Sequence, residues 1–77
     1  MIVYLVRIST ISCGTQLEWY STSAEAFSRY RQINRLSSAD KAEADFEGVV
    51  LPERIRIPNT KPYLVEFLNF WASADNG

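Results

Sequence analysis

Ile2-Val-Tyr-Leu-Val-Arg-Ile-Ser-Thr-Ile11 decides the fold. β-Branched and aromatic residues run through it almost unbroken, and Ser12-Cys13-Gly14-Thr15 closes it, which is the pattern of a strand ended by a turn. Alternation puts Ile2, Tyr4, Val6 and Ile8 on one face and Val3, Leu5, Arg7 and Ser9 on the other. A strand that is apolar on both faces over its first half belongs in the middle of a sheet.

The neighbours of this strand follow from the flanking sequence. Gln16 to Tyr20 reads as the return strand of a hairpin, with Leu17 and Trp19 alternating against Gln16, Glu18 and Tyr20. Thr22-Ser-Ala-Glu25 is a capping box, in which a hydroxyl accepts from a first-turn N–H and a carboxylate reaches back. A helix follows to about Leu36, with Ala26, Phe27, Tyr30 and Ile33 as its apolar stripe. Ser37 to Glu47 is Ala-rich and acidic, and residues 38–47 suit a short helix or a loop equally. Val49 to Ile57 is extended but interrupted by Pro52, so it is an edge strand or a bent one. Pro58 ends it. Asn59 or Thr60 caps a last helix over about Lys61 to Ala74, with Leu64, Val65, Phe67, Leu68 and Trp71 as its core stripe.

The order is β-β-α-β-α. A right-handed crossover from the second strand places the third beside the first. The expectation is a single small α+β domain over residues 1–77. Its three-stranded antiparallel sheet has order 2-1-3, with two helices packed on one face. Tyr4, Val6, Ile8, Leu17, Trp19, Ile55 and Ile57 form the expected core face. Val3, Leu5, Arg7, Glu18, Tyr20, Arg54 and Arg56 fall on the expected open face.

Composition narrows the chemistry. With 77 residues, no histidine and one cysteine, the chain cannot build a Ser-His triad, a histidine metal ligand or an internal disulfide. Cys13 has no histidine to activate it and only Arg7 as a cation nearby in sequence, so it reads as a turn residue. The carboxylates after residue 39 lack the D-x-[DN]-x-[DN]-G calcium spacing, and no Gly-rich phosphate loop is present. No enzyme, no metal and no cofactor are expected. No run approaches the roughly 18 apolar residues of a membrane span. The N-terminus has no basic region ahead of its apolar residues, which points to a cytoplasmic protein.

Surfaces for a partner are easier to find. The net charge is −1, but it is segregated. Ala26 to Ala39 carries Arg29, Arg31 and Arg35 and no acid, a +3 block; Asp40 to Glu53 sums to −4. Asp40, Glu43, Asp45, Glu47 and Glu53 are therefore a candidate acidic patch. Arg29, Arg31 and Arg35, with Arg54 and Arg56, are a candidate basic one. A phosphate backbone is a natural ligand for such arginines. Arg31 and Arg35 also suit the C-terminal dipole of their own helix. The last helix is apolar over most of its circumference, since Tyr63 and Phe70 flank its core stripe. Such a helix must be covered on more than one side, and Tyr63, Phe67, Phe70 and Trp71 are a candidate dimer interface.

In overall character the chain resembles the small inhibitor proteins of phages and mobile elements, among them the anti-CRISPR proteins. The features are the short length, Met1 leading straight into a strand, the β-β-α-β-α layout and charge patches of both signs. The resemblance implies a non-catalytic, stoichiometric inhibitor in the host cytoplasm. It would dock on a larger host protein or nucleoprotein complex that works on nucleic acid, and block it. The other expectations are a small nucleic-acid-binding protein, using the Arg row or the open sheet face, and a homodimeric regulatory subunit.

Overall fold

The computed structural model describes residues 1–75, with side chains for residues 1–72. The elements are β1 (Ile2–Thr10), β2 (Gly14–Tyr20), α1 (Ser23–Asn34), α2 (Ser38–Glu43), β3 (Phe46–Val49), β4 (Glu53–Arg56) and α3 (Lys61–Asp75). The fold is α+β with one antiparallel sheet. β1 is central, β2 lies on one side, and β3 and β4 share the other.

The expected third strand is therefore two short ones. β3 pairs with the second half of β1, Ile8 opposite Val49, and β4 pairs with the first half, Val3 opposite Ile55. Pro52 sits in the break between them, where its missing N–H costs no ladder bond. A bulge at Ser9/Thr10 adds a second irregularity on this side.

The two long helices lie on opposite faces of the sheet, not on one. Val6 and Ile8 of β1 pack with Ala26 and Ile33 of α1, all fully buried, and Tyr4, Tyr20, Phe46 and Val49 close around them. Removing such a side chain from water contributes roughly 1.5–3 kcal/mol. On the other face Trp19 meets Phe67 and Trp71 of α3, and Arg7 lies over Trp71. Leu5, fully buried, belongs to this second face, because it stands opposite Trp19 in the ladder.

Register explains the rearrangement. Leu17 stands opposite Arg7, Trp19 opposite Leu5 and Ile55 opposite Val3. Those three residues therefore share the α3 face and not the face of Tyr4, Val6 and Ile8. By the same pairing Glu18, Tyr20, Arg54 and Arg56 stand opposite Val6, Tyr4, Tyr4 and Ile2, on the α1 face. The sheet has no wholly open face, and a one-residue change of parity accounts for the difference.

The turns hold this parity. Ile11–Cys13 form a three-residue hairpin loop followed by Gly14 at φ +77°, the left-handed conformation such loops require. Thr10 seals the loop: its Oγ1 donates to the Gly14 carbonyl at 2.7 Å and accepts from the Cys13 N–H at 3.1 Å. α1 begins at Thr22, whose Oγ1 accepts from the Glu25 N–H at 3.2 Å. The Glu25 carboxylate accepts from the Thr22 and Ser21 hydroxyls. The acidic segment holds the short helix α2, capped by Ser37, whose Oγ accepts from the Asp40 N–H at 3.1 Å.

Candidate functional site

The α3 side of the sheet carries a broad apolar surface that is only partly covered. Trp19 and Trp71 meet edge to face, ring centres 5.4 Å apart and planes at 88°; Phe67 lies 6.3 Å from Trp19 and 6.1 Å from Trp71. Arrangements of this kind add about 0.5–1.5 kcal/mol per pair beyond burial. The Arg7 guanidinium sits 5.1 Å from the Trp71 ring centre, while its Nη2 donates to Glu53 Oε2 at 3.0 Å. The cation thus bridges the aromatic cluster to β4.

Among its described side chains, α3 seats Leu64, Phe67 and Trp71 as half-buried residues. Tyr63 and Phe70 are each 64% exposed, Leu68 56% and Val65 48%. Helical spacing puts Leu68 and Val65 on one flank of the seated stripe and Tyr63 and Phe70 on the other. Between the first flank and the sheet runs a groove of about 260 Å³ lined by Val3, Trp19, Ile57, Phe67, Leu68 and Trp71. Of the expected interface residues, Phe67 and Trp71 are thus engaged within the fold, whereas Tyr63 and Phe70 face outward.

The acidic candidates are not brought together as one patch. Asp40 and Glu43 are exposed on α2 and Glu47 is exposed on β3. Glu53 faces α3 and pairs with Arg7. Asp45 adopts φ +68° and holds the hairpin loop: its carboxylate accepts from the Ser12 N–H at 3.2 Å and the Ser12 hydroxyl at 2.5 Å. Its carbonyl accepts from the Ile11 N–H at 3.0 Å. Asp45 is a clamp between β1 and β3.

The basic candidates divide in the same way. Arg29 is turned onto the sheet, where Nε donates to Glu18 Oε1 at 2.9 Å and Nη2 to Oε2 at 3.3 Å; its guanidinium also lies 5.5 Å from the Phe46 ring centre. Burial by itself would raise the Glu18 carboxyl. Hydrogen bonds from Arg29, Tyr20 and Gln16, with the charge of Arg29, outweigh burial and hold it below its ordinary value. The Tyr20 hydroxyl is pushed up by burial and by its bond to Glu18, and Arg29 is raised by the Glu18 bond. This cluster fastens α1 to β2. Arg31, Arg35, Arg54 and Arg56 are exposed and have no ion-pair partner among the described residues. The first two stand on α1; the other two are on β4, bordering a hollow beside Ile2.

Cys13 is exposed at the hairpin tip, its Sγ 3.4 Å from Ser12 Oγ. It lines a second, larger hollow of about 560 Å³ with Thr10, Thr15, Gln16, Leu17 and Trp71. Among the described residues no group of three or more metal-ligating side chains gathers, and no helix is long and apolar enough to cross a membrane. The sequence pattern sets Trp19 with Val6 and leaves Arg7 on an open face; the structure sets Trp19 with Leu5 and covers Arg7 with Trp71. The signal was available in Val3 and Leu5: a strand apolar on both faces asks for cover on both. Compared with known protein families, with characterised proteins and with solved structures, the chain matches none.

Proposed function

We propose that this chain is a non-catalytic protein-binding module that docks on a larger protein through α3. The observation that carries the reading is the exposure of Tyr63, Val65, Leu68 and Phe70 on a helix already anchored by Phe67 and Trp71. Large exposed apolar side chains, one of them, Leu68, bordering a groove, are what a protein partner covers. Val65 and Leu68, three apart, form one exposed apolar pair and Tyr63 and Phe70, seven apart, form another on the opposite flank, so a partner's groove can straddle the helix. The resemblance to mobile-element inhibitors suggests a host machine acting on nucleic acid as the target, and inhibition by occupancy as the outcome.

The test is co-purification of the chain with a purified candidate partner. Phe70→Glu and Leu68→Glu are expected to abolish the complex, while Asp40→Lys and Glu43→Lys leave it intact. A complex indifferent to both α3 substitutions sinks the proposal. The unpaired Arg31, Arg35, Arg54 and Arg56 favour direct nucleic-acid binding as a second reading. It requires a gel shift at low salt that weakens steeply as salt rises.

A further inference from the structure

The two edges of the sheet are built differently. The β3/β4 edge is broken at Pro52, bulged at Ser9/Thr10 and clamped by Asp45. These are devices that keep an edge from pairing with another chain. β2 has none of them. It runs seven residues, Gly-Thr-Gln-Leu-Glu-Trp-Tyr, without proline, lysine or bulge. Its one charge, Glu18, is neutralised by Arg29 within the same molecule. Among the described residues no free charge guards the edge.

The backbone of β2 can be assigned group by group. The Arg7 and Met1 carbonyls accept from the Val50 and Ile57 N–H groups, so odd-numbered residues of β1 face β3 and β4. Even-numbered residues of β1 then face β2, opposite Gly14, Gln16, Glu18 and Tyr20. By alternation Thr15, Leu17 and Trp19 turn their N–H and C=O groups away from the sheet. Among the described residues none of these three has a backbone partner on that side.

We infer that β2 is a self-pairing edge, on which a second copy of this chain adds antiparallel about a two-fold axis at Leu17. This goes beyond the docking role of α3 and uses a different surface. The register follows from complementarity. Centred on Leu17, the two leucines exchange both backbone bonds, and Thr15 of each copy stands opposite Trp19 of the other, for about six hydrogen bonds in all. Gln16 of one copy then faces Glu18 of the other, a neutral amide opposite a carboxylate whose charge Arg29 balances within its own copy. Centred on Glu18, two carboxylates would stand about 4.5 Å apart at Cα with only about four bonds. Centred on Gln16, about four bonds form as well. Leu17 is the centre that gives most bonds and no like-charge pair.

Sedimentation at millimolar concentration tests this, with an expected mass of twice 8.8 kDa that falls back on dilution. Leu17→Lys sets two ammonium groups across the axis, and Thr15→Pro removes an outward N–H that no bond among the described residues uses; each is expected to leave a monomer. Phe70→Glu is expected to leave the dimer, which separates this inference from the α3 reading. Hydrogen exchange of the unmutated chain guards against misfolded variants. The Thr15, Leu17 and Trp19 amides should gain protection with rising concentration. A monomer at millimolar concentration, or a dimer abolished by Phe70→Glu alone, overturns the inference. So does a dimer whose Thr15, Leu17 and Trp19 amides exchange freely.

Discussion

The two faces of this sheet are covered by two helices in two different ways. α1 closes its face with short aliphatic side chains, Val6, Ile8, Ala26 and Ile33, none of which reaches solvent. The Glu18–Arg29 pair then fastens its rim. α3 covers its face with rings, Trp19, Phe67 and Trp71, and leaves Trp19 42% exposed. Aliphatic interdigitation excludes water and fixes geometry. Three large rings touching at their edges bury area but leave gaps, and one of those gaps is the groove beside Leu68. The lesson is a division of labour: one face holds the fold, and the other keeps surface available.

Substitutions on each side test the contrast. Ile33→Ala, under α1, should destabilise the chain most, by about 3 kcal/mol in denaturant unfolding, from lost transfer energy and the cavity left behind. Trp71→Ala, under α3, removes a larger side chain yet should cost less, about 1–2 kcal/mol, because the ring is only half-buried. Equal losses at the two sites would erase the distinction between the faces. Glu18→Gln should cost about 1 kcal/mol at neutral pH. Because the folded carboxyl titrates below its ordinary value, the pair's contribution is present above the unfolded carboxylate range and is lost as pH falls through the lowered folded value. The unmutated chain should therefore lose stability to acid more steeply than Glu18→Gln, read as Tm against pH. Phe70→Glu removes a ring that is 64% exposed but meets Trp71 edge to face, centres 5.5 Å apart, and should cost about 0.5 kcal/mol, the low end for one ring pair. A large loss there would show that α3 is packed more tightly than its exposure implies.

Much of the architecture could be read from the residues. The central strand, the hairpin, the Thr22 cap and the 2-1-3 order all follow from alternation, turn chemistry and handedness. Parity could not be read. Whether Leu17 and Trp19 join Val6 or Leu5 depends on how many residues the hairpin loop consumes, and Ile11 to Cys13 can be counted as strand or loop equally well. Once parity is wrong, both helices land on one face and the other looks open. The acidic run was legible as charge but not as geometry. Asp45 leaves it because a left-handed turn aims its carboxylate at Ser12, and Glu53 leaves it because β4 faces Arg7.

Pro52 has a dynamic consequence. Because it divides one sheet edge into β3 and β4, β1 is zipped by two separate fasteners. β3 supplies Phe46 and Val49 to the α1 core, whereas β4 supplies it with nothing among the described residues. β4 rests on β1 and α3 on Trp19 of β2, so each can open while β1, β2, α1 and β3 stay closed. Native-state exchange would record this as two tiers of amide protection, with β4 and α3 in the lower one. The surface proposed to meet a partner would then be the part of the molecule best able to reshape itself on contact.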